Sequence, residues 1–223
     1  MASTVLERAS GADSAAPWES PSISTFVDGN LALATVFAWA NGGTPPGSGG
    51  TGLTGCGQTW TSIANGTGTD GLTASFRLQM FSAHLSSPTT GALTASFTTT
   101  APDQVVFKVA ESDEVPAAGA VVQVSAVATG DSTAPAASLS AFADAVNNVV
   151  YLATAFYIDG TRPTISFGSL TELGSDIQDP FNAGLAHAWG TGEDTSPDAI
   201  RTLASELGWA DPPKNDGPGA DEL

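Results

Sequence analysis

Residues 30–40, NLALATVFAWA, are a nearly continuous apolar run between Asp28-Gly29 and Asn41-Gly42. The run is long enough for a helix, but the flanking glycines and its Thr, Val, Phe and Trp content favour a buried strand. A second run with the same character, NVVYLATAFYI, covers residues 148–158 and ends at another turn, Asp159-Gly160. The two runs predict two long strands, each central in a sheet.

Shorter apolar runs recur between turns rich in Gly, Pro and Asn. They cover residues 58–63, 76–85, 92–98, 104–110, 120–128, 164–167, 183–189 and 199–204. About ten strands at this spacing predict an all-β fold, a two-sheet antiparallel sandwich of jelly-roll type. We expect one sandwich domain over residues 21–211, an N-terminal arm over 1–20, and an acidic Pro/Gly-rich tail over 212–223. Residues 196–207 could begin a helix at Ser196-Pro197, but a strand is preferred there because of the repeat described next.

The chain also contains a divergent internal repeat. Four elements occur twice in the same order. They are 34–37 (ATVF) with 153–156 (ATAF), 60–63 (WTSI) with 170–173 (LTEL), the histidine-containing 76–85 with 183–189, and 92–97 with 199–203. An ordered series of matches indicates an internal pseudo-duplication.

The repeat alignment assigns faces to the two long strands. The face expected in the sandwich core carries Leu31, Leu33, Thr35, Phe37 and Trp39, matched by Val150, Leu152, Thr154, Phe156 and Ile158. The opposite face is rich in alanine, which predicts that a loop, an arm or a neighbouring subunit covers it, because a solvated face usually carries polar side chains.

The composition excludes several classes of partner. Of 223 residues, 41% are hydrophobic and 13% charged, and 23 acidic residues against 6 basic ones leave a net charge of −17. Such a surface repels phosphate backbones and anionic headgroups, so we expect no nucleic acid and no membrane insertion. The N-terminus has no apolar segment typical of a signal peptide, which predicts synthesis in the cytoplasm without export.

Few residues are candidates for chemistry. The single cysteine, Cys56, excludes an intrachain disulfide and lies between two glycines without a recognisable base. His84 and His187 occupy related repeat positions and lack metal-ligand spacing, so a shared structural position explains them. We therefore expect no enzyme, and no catalytic, cofactor-binding or metal-binding residue. Calcium at the loops 65–71 or 174–179 stays open, although neither matches an EF-hand.

The five tryptophans divide by their position in the chain. Trp39 and Trp60 fall in predicted strands and are expected in the core. Trp18 and Trp209 lie near the two ends of the domain and are candidate anchors for a partner. Trp189, at a strand end, is a candidate for stacking against a sugar.

Several of these segments together resemble a known module. They are 28–34 (DGNLALA), 57–61 (GQTWT), 77–81 (RLQMF), the Val-rich block 104–127 and 170–173 (LTEL). Their order resembles a β-sandwich module of bacteriophage tail, fibre and capsid-decoration proteins, whose strand pattern is followed by "GNTWT"; here Gln58 replaces the Asn. The resemblance implies a non-enzymatic virion protein on the tail or capsid, located in the virion, with copies of itself and other virion proteins as partners. A host surface glycan is a further candidate partner.

Two other functions stay open. A carbohydrate-binding module or glycan-active protein would need exposed aromatic side chains and paired acids in a groove. A secreted adhesin domain would need an export signal. Under the virion hypothesis we expect assembly through the alanine-rich face and the N-terminal arm, with Val5, Leu6 and Trp18 packed against a neighbouring subunit. The alternative is that the same chain covers that face.

Overall fold

The computed structural model describes residues 5–24, 26–69, 74–113, 130–131, 149–157, 171–178, 183–191 and 205–209. These residues form β-strands and contain no helix, and thus none that is long and apolar enough to cross a membrane. The strands are β1 (Val5–Asp13), β2 (Trp18–Glu19), β3 (Leu31–Asn41), β4 (Gly50–Gly55), β5 (Thr61–Thr69), β6 (Ala74–His84), β7 (Leu93–Thr98), β8 (Gln104–Ser112), β9 (Gly130–Asp131), β10 (Val149–Tyr157), β11 (Thr171–Gln178), β12 (Ala183–Thr191) and β13 (Ser205–Trp209). The predicted all-β fold is confirmed.

The first eight strands form an antiparallel sandwich with the pairing of a jelly roll. The central sheet has the order β1-β8-β3-β6-β5, and the small sheet has the order β2-β7-β4. The first strand pairs with the eighth, the second with the seventh, and the third with the sixth. This nesting, with the chain passing between two sheets, is the arrangement that two Greek keys produce in a jelly roll. The predicted jelly-roll-like sandwich is therefore confirmed for residues 5–112.

The fifth strand departs from a regular jelly roll. The innermost nested pair would be β4 with β5, but β5 instead pairs with β6 at the edge of the central sheet. A β-bulge at Ile63, between Ser62 and Ala64, interrupts this pairing. Bulges increase the local twist and bend an edge strand. The central sheet therefore has five strands and the small sheet three.

A third sheet adds a layer to the sandwich. The C-terminal sheet has the order β11-β12-β10-β13-β9 and packs on the central sheet opposite the small sheet, where Tyr151 and Leu185 join the cluster that contains Leu33 and Phe37. The central strand β3 is thus buried on both faces, which explains its nearly continuous apolar sequence. The two long strands β3 and β10 are each third of five strands, as predicted.

The alanine-rich face of β3 is covered by the same chain. Ala34, Val36 and Ala38 are buried and pack against Leu53 of β4 and Leu93 of β7. Alanine suits this position because it lets the small sheet approach closely while larger side chains fill the space from the other side. The expectation that this face contacts a neighbouring subunit is therefore wrong, and the alternative of cover by the same chain is correct.

The internal duplication is visible in the strand order. In the central sheet β6 lies between β3 and β5, and in the C-terminal sheet β12 lies between β10 and β11. In both sheets the outer strand carries a β-bulge at the aligned residue, Ile63 in one repeat and Leu173 in the other. The likeness ends at the next strand, because β8 is antiparallel to β3 whereas β13 is parallel to β10.

The predicted alignment of the two long strands is shifted by one residue. Counted from the bulges, Met80 corresponds to His187. Met80 pairs with Thr35 and His187 with Ala153, so Ala153 corresponds to Thr35 and not to Ala34. A shift of one residue moves every side chain of a strand to the other face.

This shift changes which face of β10 meets the central sheet. The buried residues that join the shared core are Tyr151, Ala153 and Ala155. The sequence analysis placed the other side chains of β10 on the face that meets the central sheet, so its assignment was wrong for this strand. These side chains are those of Val150, Leu152, Thr154, Phe156 and Ile158.

Much of the predicted N-terminal arm belongs to the sandwich. Residues 5–13 are β1, which pairs along its length with β8, and Val5 is 3% exposed in the core. Trp18 in β2 packs edge-on against Phe97, with the ring centroids 5.4 Å apart. The prediction of an arm over residues 1–20 outside the domain is therefore wrong for these strands. Leu6 alone of the three expected anchor residues is exposed, at 50%.

The remaining predicted strands agree with the structure only in part. The runs predicted at 76–85, 92–98, 104–110 and 183–189 are strands, and the run at 58–63 is a strand from Thr61 onward. β4 was not predicted, and residues 65–69 of β5 were predicted as part of a loop. The predicted strands 120–128, 164–167 and 199–204 and the tail 212–223 lie outside the described residues.

Candidate functional site

A group of polar side chains lies between the central sheet and the C-terminal sheet, and four of its six members are buried. We call it the buried polar cluster, and it contains Glu7, Ser10, Thr35, Lys108, Tyr151 and His187. Tyr151 and His187 come from β10 and β12, and the other four residues come from three neighbouring strands of the central sheet. His187 is 0% exposed, and Tyr151 and Lys108 are each 1% exposed. Such groups are costly to bury unless they are hydrogen-bonded or paired.

A β-bulge in β1 brings two of these residues to one face. The register shifts between Glu7 and Ala9, so that Glu7 pairs with Ala110 while Ser10 pairs with Lys108. In a regular strand, residues three apart point to opposite faces. The extra residue, Arg8, restores Glu7 and Ser10 to the same side, toward the C-terminal sheet. Lys108 in turn pairs with Thr35, which completes a polar row across three strands.

The cluster forms a continuous chain of contacts. The Tyr151 hydroxyl lies 3.4 Å from Thr35 Oγ1 and 2.9 Å from His187 Nδ1. His187 Nε2 lies 2.6 Å from Glu7 Oε2. Lys108 Nζ donates to the same Glu7 oxygen at 3.4 Å and to Ser10 Oγ at 2.6 Å. The side chains of Lys108 and His187 thus meet at the Glu7 carboxylate.

The proton positions in this series of hydrogen bonds follow from which atoms can donate and which can accept. With a neutral His187, Nε2–H donates to Glu7 and Nδ1 accepts from the Tyr151 hydroxyl. The Tyr151 oxygen can then accept from Thr35. Each member has a partner in this arrangement, which is the condition under which a buried polar network stabilises a fold.

The electrostatics of the cluster keep Glu7 ionised. Burial alone would raise the pKa of Glu7, but the hydrogen bond from His187 and the positive charge of Lys108 outweigh it and leave the pKa below its usual value. Burial also raises the pKa of the Tyr151 hydroxyl, with the Glu7 charge adding to the effect and the bond to Thr35 opposing it. Tyr151 therefore stays a neutral hydrogen-bond donor.

Chemically, this arrangement can fasten two sheets and exchange a proton. A carboxylate, an imidazole and a hydroxyl in series also occur in acid–base catalysis, which requires contact with a substrate. Here the imidazole and the hydroxyl lie within the packed interface and Glu7 reaches the surface, its side chain being 30% exposed. A substrate could reach the imidazole only if the two sheets separated.

The sequence analysis considered Cys56, His84 and His187 for chemistry. His187 belongs to the buried polar cluster, and the other two residues lie outside it. Cys56 is buried, its Sγ lies 3.3 Å from the Gly91 carbonyl oxygen, and burial raises its pKa. His84 is exposed at the end of β6. It pairs with Leu31 whereas His187 pairs with Ala153, so the histidines do not occupy equivalent positions as predicted.

The tryptophans divide differently from the prediction. Trp39 is in the core, as expected, at 6% exposed. Trp60 is half-buried just before β5, packs beside Phe26, and donates its indole N–H to the Gly55 carbonyl oxygen at 3.2 Å. Trp60 was predicted inside the core and in a strand; it packs against the core, is partly buried and precedes the strand. Trp18 packs within the chain, and the side chains of Trp189 and Trp209 lie outside the description.

The two candidate calcium loops are mainly strands. Residues 65–69 belong to β5 and residues 174–178 to β11, so neither is the open loop that the prediction assumed. In the part of the chain that the structure describes, no three His, Cys, Asp or Glu side chains come together in a way that could hold a metal ion.

A second polar group fastens the open edge of the jelly roll. Arg77 donates to the carbonyl oxygens of Pro46 and Gly47 at 2.5 and 3.4 Å and to Asn65 Oδ1 at 2.6 Å. Burial lowers the pKa of Arg77. Gln79 contacts Thr51 of β4 and donates to Ser62 Oγ of β5. These bonds join β4, β5 and β6 where the regular β4–β5 pairing is missing.

Sequence reasoning missed Glu7, Lys108 and Tyr151 as members of a site. A usable signal was present in the strand QVVFKVA, because a lysine amid apolar residues in a buried strand requires a partner. The partner could not be identified, since the bulge that turns Glu7 toward Lys108 has no clear sequence signature.

Comparison of the chain with protein-family models, curated proteins and solved structures found no match. The proposed function therefore depends on the fold and on the chain's own residues.

Proposed function

We propose that this protein is a non-enzymatic structural or accessory subunit of a bacteriophage virion, displayed on the tail or capsid in repeated copies. The observation that carries the proposal is the jelly roll of residues 5–112, whose interior is filled by its own side chains. Jelly rolls are a common architecture of capsid proteins and of lectin domains. A fold alone does not determine function, so the surface must supply the rest.

The charge of the chain supports a displayed subunit. A net charge of −17 keeps a protein soluble at high local concentration and away from nucleic acid. The charges that are buried pair within the chain: Glu111, 2% exposed, accepts from Arg8 at 2.5 Å and from Asn30 Nδ2 at 2.7 Å. The acidic excess is then left for the surface.

A contact surface between copies is proposed at β1. Leu6 and Val27 are the two large hydrophobic residues classed as exposed in the described part of the chain, each at 50%. They lie around one carboxylate, since Leu6 pairs with Glu111 and the Val27 N–H donates to Glu111 Oε1 at 2.8 Å. Exposed apolar side chains that cluster mark interaction sites more often than isolated ones do.

The proposal is tested by purifying, on a density gradient, the particles of a phage that carries the gene. We expect the protein to sediment with the particles at a fixed ratio to the major capsid protein and to remain bound at raised salt. Recovery of all the protein in the soluble fraction, with none in the particle band, would contradict a virion role.

A carbohydrate-binding module is the second candidate, and one observation favours it. Ser62 and Asn65 of β5 are exposed and are held in place by Gln79 and Arg77, which presents oriented hydrogen-bonding groups at the open edge of the jelly roll. Glycan-array binding that Asn65→Ala abolishes without changing the melting temperature would favour this candidate. Absence of binding to any glycan would eliminate it.

A further inference from the structure

A β-bulge places two exposed polar side chains next to each other at the open edge of the jelly roll. The register pairs Ser62 of β5 with Phe81 and Asn65 with Gln79, and the bulge at Ile63 takes up the extra residue. Phe81 and Gln79 are two residues apart in β6, so their side chains point to one face. Ser62 and Asn65 consequently share that face as nearest neighbours, and both are exposed.

The hydrogen bonds beneath this pair leave its donors for another partner. Arg77 Nη1 donates to Asn65 Oδ1 at 2.6 Å, so the amide oxygen is engaged and the NH2 group of Asn65 remains to donate elsewhere. Gln79 Nε2 donates to Ser62 Oγ at 2.8 Å, which leaves the hydroxyl hydrogen of Ser62 in the same position. A hydroxyl hydrogen and an amide NH2 are thus presented together, and both require an acceptor.

Arg77 adds a positive charge that has no carboxylate beside it in the described part of the chain. The residue is 9% exposed, and its partners are the carbonyl oxygens of Pro46 and Gly47 and the amide oxygen of Asn65. These three acceptors are neutral, whereas a buried guanidinium is usually paired with an acid. The charge is therefore available to an anionic ligand that approaches Asn65.

The neighbouring residues of β5 indicate which kind of ligand carries the acceptor. Beyond Asn65 the same face presents Thr67 and Thr69, which are also exposed, and glycines alternate with them along the strand. This row offers hydroxyl and amide groups to a ligand and no apolar side chain. Such a surface suits a polyhydroxylated molecule, because each of its hydroxyl groups can both donate and accept a hydrogen bond.

We propose that Ser62, Asn65 and Arg77 bind the carboxylate of an acidic sugar, a uronic acid residue of a surface glycan. The carboxylate oxygens accept from the Ser62 hydroxyl and the Asn65 NH2 group, and the Arg77 charge lies directly behind the amide. The ring hydroxyls contact Thr67 and Thr69. This inference rests on glycan binding, the second candidate function, and narrows it to sugars that carry a negative charge. The net charge of −17 does not prevent such binding, because exposed charges are screened beyond about 8 Å at physiological salt.

The test compares two ligands that differ only in the acidic group. Methyl β-glucuronide carries a carboxylate where methyl β-glucoside carries a hydroxymethyl group. Each is titrated into the full chain at pH 7 and physiological salt, and binding is followed through the amide NMR signals, including the side-chain NH2 of Asn65. We expect the glucuronide to bind about tenfold more tightly and to shift the Asn65 NH2 signals, because hydrogen bonds to a charged acceptor are about twice as strong as neutral ones.

Asn65→Asp is the sharpest variant because it supplies the missing acid. The new carboxylate would compensate Arg77 and replace the NH2 donor by an oxygen, so glucuronide binding should be lost while the melting temperature does not fall. The matched control Thr90→Asp adds the same charge at an exposed bend between β6 and β7 and should bind as the wild type. Ser62→Ala removes one donor and should weaken glucuronide binding several-fold without changing that of the glucoside.

The outcomes separate the acidic-sugar site from the function on which it rests. Equal affinity for the two sugars, or glucuronide binding that Asn65→Asp leaves unchanged, would overturn the carboxylate site while glycan binding itself stood. Failure of both sugars together with a blank glycan array would eliminate the site and the glycan-binding function alike.

Discussion

Replacement of Phe37 by alanine tests the three-layer packing at its centre. Phe37 is 1% exposed in the middle strand of the central sheet and stacks on Phe76, with ring centroids 6.1 Å apart and an interplanar angle of 13°. A buried Phe→Ala change costs about 3–5 kcal/mol. Sheets on both sides of β3 restrict collapse of the cavity, and the aromatic pair is lost as well, so we expect about 4 kcal/mol or more.

Trp60→Ala is the matched comparison. Trp60 is larger than Phe37 but half-buried, and its contacts with Phe26 and the Gly55 carbonyl lie at the end of the sandwich. We expect a loss of about 2 kcal/mol, roughly half the range for a fully buried aromatic. Urea unfolding followed by circular dichroism gives both values, provided that the slope with denaturant is unchanged. A Trp60→Ala loss equal to or above that of Phe37→Ala would refute the layered arrangement.

Three further predictions concern the covered face, the cluster and the exposed patch. Ala34→Leu should lower the free energy of unfolding by about 1–3 kcal/mol because the residue is 0% exposed between two sheets; a neutral result in urea unfolding would mean that the small sheet does not cover it. The stability difference between wild type and Glu7→Gln should shrink from pH 7 to pH 3, since the pKa of Glu7 is lowered in the folded state and its stabilisation disappears as the carboxylate is protonated; a difference that stays constant would exclude this role for Glu7. Leu6→Lys with Val27→Lys should reduce self-association measured by light scattering and change the free energy of unfolding by less than about 0.5 kcal/mol per site; unchanged association would place the contact elsewhere.

The sequence predicted the two long central strands, β3 and β10. Residues 30–40 and 148–158 stand out because an apolar run bounded by glycines and turn residues has few alternatives to a central strand. β1 and β4 were missed because edge strands carry mixed polar and small residues, as in VLERASGAD and GTGLTG. Their strand character comes from pairing with β8 and β7 and is not apparent in their own composition.

The sequence could not predict the buried polar cluster because register decides it. The bulge at Arg8 determines that Glu7 faces Lys108, and the one-residue offset between the repeats determines that Tyr151 faces Thr35. Each is a choice between two faces of a strand, and either choice is compatible with the local sequence. The sequence shows no signature motif around His84 or Cys56. In the structure, Cys56 is buried and His84 is exposed at the end of β6.

The number of copies per purified particle tests the central claim most directly. Quantitative mass spectrometry against the major capsid protein would compare the wild type with the Cys56→Ala/His84→Gln variant, which removes the two residues considered for chemistry that lie outside the buried polar cluster. A structural subunit predicts the same fixed number of copies and the same infectivity for both proteins. A wild-type protein absent from particles, or a folded variant that is incorporated fully but loses infectivity, would contradict the account.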